Sequence, residues 1–131
     1  MNTKFKLISV LTILVFSGIL FANLSKWHLL GSREVKFRTE KDVIAVGAEE
    51  GLFTKIKLTV NKSAVHFNDM KVHFANGKVF DVKLRTVIPA GGETRVIDLP
   101  GDARNIKKVV FWYYSTLKNP KRAVVKLYGK R

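Results

Sequence analysis

From residue 26 onward, apolar and polar residues alternate with a period of two. They do so in short runs, and turn residues divide the runs. A β-strand sends successive side chains to opposite faces, so such alternation marks a strand with one buried and one wet face. The cleanest run is Phe53 to Val60. There Thr54, Ile56, Leu58 and Val60 share one parity, while Lys55, Lys57 and Thr59 share the other. Earlier runs predict strands at Lys26–Gly31, at Arg33–Arg38 after a Gly31-Ser32 turn, and at Asp42–Val46 before a Gly47–Gly51 loop. After an Asn61-Lys62-Ser63 turn, Val65 and Phe67 lie on one parity and Met70, Val72 and Phe74 on the other. The phase changes at Asn68-Asp69, which places a bulge or tight turn there. Asn76-Gly77 then stands between Met70–Ala75 and Lys78–Leu84. Asn-Gly favours the type I′ hairpin turn, whose two central residues need positive φ, so these runs are expected to pair antiparallel.

The later part continues in the same way. Pro89–Gly92 reads as a loop. Thr94–Leu99 reads as a strand stopped by Pro100-Gly101, since proline lacks the N–H a ladder needs. Ile106–Ser115 is the most apolar and aromatic run after residue 25: Val109, Phe111 and Tyr113 on one face, Val110, Trp112 and Tyr114 on the other. A Lys118–Lys121 loop and a last strand, Ala123–Tyr128, follow. No stretch after residue 25 keeps a helical period. Strands spaced by turns about every 8 to 12 residues predict an all-β fold. The expectation is a single antiparallel β-sandwich of about eight to ten strands, Greek-key or jelly-roll-like, over residues 26–131. The two ends look alike, Trp27-His28-Leu29-Leu30-Gly31 and Val125-Lys126-Leu127-Tyr128-Gly129. Pairing of the first and last strands would account for this and would remove sticky edges.

The first 25 residues are of another kind. Lys4 and Lys6 precede an uncharged run from Leu7 to Ser25. That layout predicts a secretory signal peptide, forming a helix before the sandwich, with cleavage after Ala22 or Ser25. An uncleaved membrane anchor is the alternative, because the 19 uncharged residues approach the ~20 a bilayer requires. The expected location is periplasmic or secreted, with contact to a membrane through residues 7–25 only if they remain attached. With no cysteine, the chain has no lipid-anchored cysteine, disulfide, thiol catalysis or cysteine metal site.

Three motifs carry a resemblance. W-x-L-L-G-x-R-x-V starts at Trp27, R-V-I-D-L-P-G at Arg95 and V-x-L-Y-G at Val125. Together they resemble a family of small exported bacterial proteins whose domain has no assigned function. The resemblance implies a secreted or periplasmic bacterial β-sandwich. It implies no activity, cofactor or catalytic residues.

Charge directs the search for function. The chain carries a net charge of +14, and only Lys4 and Lys6 of its cations precede residue 26. A surface this basic concentrates anionic partners. For an exported protein these are lipid, glycan or cell-wall polymer; nucleic acid is not expected, and an envelope protein is the alternative partner. A solvated surface that keeps the domain soluble explains the same charge. The candidate ligand-binding residues are Trp112 and Tyr114, with Arg104, Lys107 and Lys108 nearby in sequence. A second layer from the terminal strands would ordinarily cover two such aromatics; left open, they could stack on sugar rings. His66, His73 and Asp69 are a thin basis for a metal site, so neither metal nor cofactor is expected. The ten carboxylates show no paired spacing. Asp42, Asp98 and Asp102 read as turn caps. Ser32, Ser63 and Ser115 lack a nucleophile elbow, and Gly91-Gly92 forms no phosphate loop. The reading is a non-enzymatic binding or envelope-associated domain, with a small hydrolase as the weakest option.

Overall fold

The computed structural model describes residues 26–35, 40–114 and 122–131. The expected signal segment, residues 36–38 of the second expected strand, Ser115 and the Lys118–Lys121 loop lie outside the described residues. Among the described residues, no helix is long and apolar enough to cross a membrane.

The described residues form nine strands in two antiparallel sheets packed face to face. One sheet, here the terminal sheet, has the order β1 (Trp27–Glu34), β9 (Val124–Lys130), β4 (Lys55–Asn61), β7 (Ile97–Asp98). The other, the aromatic sheet, has the order β2 (Glu40–Ala45), β8 (Arg104–Tyr114), β5 (Val65–Phe74), β6 (Val79–Ile88), and β3 (Leu52–Phe53) also pairs with β8. The all-β sandwich expected from the alternation is the fold observed. The two ends pair as their likeness suggested, Trp27 opposite Lys130 and Glu34 opposite Val124. This pairing covers one edge only. β9 becomes central, and β1 remains at the rim.

The inner faces interlock in a core whose largest members are fully buried: Phe53, Phe67, Phe111, Tyr113, Ile56 and Leu58. Phe111 packs edge-on to Phe67 at 6.0 Å between centroids and lies 5.8 Å from Tyr113. The Tyr113 hydroxyl donates to Asp42 Oδ2 at 2.9 Å. The core face of the aromatic strand is thus Val109-Phe111-Tyr113, as the alternation indicated. Asp42 serves that buried hydroxyl instead of capping a turn.

Four local readings change. Gly31-Ser32 is not a turn, because β1 runs through it with a bulge between Leu29 and Gly31. The reason is close approach: a Cβ on Gly31 would stand 2.5 Å from Ile44 Cγ2 in the facing sheet. The Phe53–Val60 run is two strands. Phe53 belongs to β3 on the aromatic sheet, and the chain changes sheets at Thr54, whose N–H donates to the Lys130 carbonyl at 2.9 Å. Thr94–Leu99 is a strand only at Ile97–Asp98. Beside it, the Thr94 N–H and hydroxyl take up the Leu58 carbonyl and N–H at 2.9 and 3.0 Å. Finally, the Asn76-Gly77 hairpin is not type I′. Gly77 has φ 89° while Asn76 has no positive φ, and the Gly77 N–H donates to the Phe74 carbonyl at 3.0 Å. This is a three-residue loop, a turn followed by one left-handed residue. Asn61-Lys62-Ser63 is a tight turn as read. Lys62 has φ 76° and the Ser63 N–H donates to the Asn61 carbonyl at 3.0 Å, the geometry of a γ-turn.

Two predictions follow from the packing. A Cβ on Gly77 meets nothing within 4 Å, so substitution there costs backbone strain alone. Gly77→Val should lower stability by about 1–2 kcal/mol; an unchanged denaturant midpoint refutes the turn assignment. Phe111→Ala should cost about 3–5 kcal/mol, and a loss under about 1 kcal/mol, the range of surface changes, would reverse the assigned facing.

Candidate functional site

The solvent-facing side of the aromatic sheet carries a depression that joins aromatic and charged groups. It forms where two neighbouring strands bulge together. On β5 the buried parity shifts between Phe67 and Met70, so Asn68 and Asp69 together oppose the single residue Trp112 of β8. On β6 the register slips between Lys83 and Thr86, and Arg85 takes φ 43°, a left-handed conformation rare outside glycine. Such bulges re-aim side chains and recur beside binding sites. Here they open a groove of about 820 Å³ lined by His66, Asn68, Asp69, Lys71, Asp81, Lys83, Arg85 and Trp112, with Met70 and Val82 beneath.

Trp112 is half-buried. Tyr114, 41% exposed, stands opposite His66, with the rings edge to face at 5.7 Å. The terminal strands belong to the other sheet, against the Val109-Phe111-Tyr113 face, so they do not cover these aromatics. Val87, 57% exposed, and Val79, 46% exposed, mark the same outer parity of β6. Two loose ion pairs cross the groove: Lys71 with Asp81 at 3.5 Å and Arg85 with Asp69 at 3.9 Å. Among the described residues Lys83 makes no ion pair; its carbonyl accepts from Arg95 at 3.1 Å.

The other sequence-predicted residues are spread along β8. Arg104 lies eight residues from Trp112, roughly 26 Å along an extended strand. It belongs to a separate depression of about 380 Å³ with Phe74, Asn76 and Asp102, its guanidinium 4.7 Å from the Phe74 ring. Lys107 sits where β8 changes parity between Ile106 and Val109, and its carbonyl accepts from the Val46 N–H at 3.0 Å. Lys108 shares the face of Trp112 but lies about 13 Å away along the strand, opposite His73 and Ala45. The geometry therefore joins Trp112 and Tyr114 to His66, Lys71, Lys83 and Arg85, and leaves Arg104 elsewhere. His66 and Asp69 do share the groove, but among the described residues no three metal-ligating side chains converge.

Fold and site together define a small all-β sandwich domain with an open aromatic and charged groove on one sheet face. The chain belongs to the domain of unknown function family DUF2541, whose model matches residues 8–129. A solved structure titled "Structural and functional characterization of Pseudomonas aeruginosa AlgX" is similar over 79% of this chain, with 18% identity and a TM-score of 0.52. The chain spans only 26% of that protein's length, so the likeness concerns the fold. No curated protein matches the chain in sequence.

His73, on the same face, stands among cations. Burial, then Lys108, Lys71 and Lys107, push its imidazole below the ordinary value of 6.5, and Asp81 pulls weakly the other way. A histidine with a lowered native pKa binds its proton more readily in the unfolded chain. Its neutral form therefore supports the fold above about pH 6.5, and that support is lost as pH falls below it. His73→Gln should flatten the stability profile between about pH 5 and 7, measured by urea unfolding; parallel profiles for the two proteins would contradict this.

Proposed function

We propose that the protein is an exported, non-enzymatic binding domain that holds an anionic envelope glycan or polymer in the groove of β5, β6 and β8. The observation that carries this reading is the convergence of Trp112, His66 and the rim residue Tyr114 with Lys71, Lys83 and Arg85 on one open surface. Flat aromatic side chains offer large amphipathic contact area to a sugar ring. Guanidinium and ammonium groups pair with its carboxylate, sulfate or phosphate. The resident ion pairs are weak competitors, because half-exposed pairs at 3.5 and 3.9 Å contribute only about 0–1 kcal/mol. A ligand anion can take over Lys71 and Arg85 at small cost. Export is supported by the pattern of residues 1–25, a basic start and an uncharged run.

Asp69 and Asp81 favour a second reading. Asp69 stands opposite Lys83 and Lys71 opposite Asp81, so the two carboxylates occupy diagonal positions in the groove. Glycoside hydrolysis uses two carboxylates flanking a bond. Each one here already faces a cation, which suits an ion-paired surface better than a cleft prepared for acid–base chemistry.

Retention of the full chain on heparin separates these readings. Binding at low salt that is lost as salt rises is the expected result. Trp112→Ala should weaken retention about tenfold, or ~1.4 kcal/mol, and Lys83→Ala/Arg85→Ala should weaken it and make its dependence on salt shallower. No retention at low salt would point to an adaptor that binds another envelope protein. Cleavage of an acidic glycan that stops in Asp69→Asn would establish the hydrolase.

A further inference from the structure

The opposite face of the sandwich carries a second aromatic and basic surface. Across the terminal sheet, Trp27 of β1 stands opposite Lys130 of β9, and Lys130 opposite Lys55 of β4. On the next outward rung, Leu29 stands opposite Tyr128, and Tyr128 opposite Lys57. Lys126, opposite Ser32 and Thr59, continues the column. These residues share the wet parity, since Val125, Leu127, Ile56 and Leu58 between them are buried. The result is an apolar patch of Trp27, Leu29 and Tyr128 bordered by lysines. Leu29 is 53% exposed and adds aliphatic surface to the two aromatic side chains. The Trp27 ring is held by Lys57 Nζ at 4.5 Å and lies 5.9 Å from Lys130 Nζ. Among the described residues, Lys57 and Lys55 pair with Glu93 and Asp98, whereas Lys126 and Lys130 make no ion pair.

We propose that this outer face of β1, β9 and β4 docks on an anionic lipid bilayer. Two independent observations choose the occupant. The first is composition: tryptophan and tyrosine settle at the level of lipid headgroups, and lysines gain from the negative surface potential of anionic lipid. The second is position. The uncharged run Leu7–Ser25 ends two residues before Trp27, so wherever that run meets a membrane, the first residue to follow on the sandwich is this patch. Lys26 lies between them. The face points away from the groove of the aromatic sheet. The proposal therefore stands whether or not the groove binds a glycan.

The test uses the full chain carrying Trp112→Phe, which leaves Trp27 as the only tryptophan. Vesicles of phosphatidylglycerol mixed with phosphatidylcholine are compared with phosphatidylcholine alone, both with brominated acyl chains. The expected result is quenching and a blue shift of Trp27 on the anionic vesicles, reversed by high salt. Lys126→Gln/Lys130→Gln should lower affinity for the anionic vesicles roughly thirtyfold and leave the neutral ones unchanged. Leu29→Ser, an exposed position outside the core, should reduce the quenching without changing charge. Equal quenching on both lipids, or full anionic binding by the double lysine variant, would overturn the proposal by assigning any membrane contact to residues 7–25 alone.

Discussion

The two sheets depend on strands that come late in the chain. β8 is the centre of the aromatic sheet, between β2 and β5, and β9 is the centre of the terminal sheet, between β1 and β4. Among the described pairs, only β5 with β6 is a hairpin of consecutive strands. Every other ladder waits for partners distant in sequence. Such non-local pairing carries loop-closure entropy that must be met before contacts compensate it. The compensation is concentrated in the inward side chains of these two strands, Val109, Phe111 and Tyr113 from one, Val125 and Leu127 from the other. A chain without its last third retains, of the described ladders, only the β5–β6 hairpin.

That dependence explains how the outer faces are free to vary. The inner parity of each strand is filled by apolar side chains, so the outer parity can hold charge without loss of packing. Where β5 and β6 bulge, the outer parity is also re-aimed. Asp69 and Arg85 turn toward each other across a depression that regular strands would not leave. The positive φ of Arg85 is a local cost, of order 1–3 kcal/mol for strained residues in general. The surrounding ladders of β5 to β8 and β6 bear it.

Much of this was legible in the amino-acid order, and what was not has identifiable causes. Ile56, Leu58 and Val60 show their buried face because nothing interrupts their period. Asn68-Asp69 shows its bulge because the apolar parity changes there. Arg85 left no trace, because Val82, Leu84 and Ile88 keep one parity straight through the distortion. The change of sheets at Thr54 was hidden for a similar reason: Phe53 is buried on a different sheet from Ile56, yet both are simply apolar in sequence. Gly31-Ser32 resembles a turn, and only the facing Ile44 reveals why glycine is needed. The grouping of Arg104 with Trp112 failed through distance. Residues close in number on a strand recede from each other by over 3 Å per step, while Lys83 and Arg85, far in number, lie across the groove.

The rung that joins Trp27 to Lys130 has a topological consequence. The described domain begins and ends side by side, so its backbone is nearly a closed circuit. Linking residue 131 to residue 26 by a short connector would turn the β9–β1 pair into a local hairpin. A new opening at the exposed 101–103 turn would leave every ladder in place and make β8 the first strand of the chain. In such a permuted protein both central strands precede their partners, and the order in which the sheets can assemble is inverted.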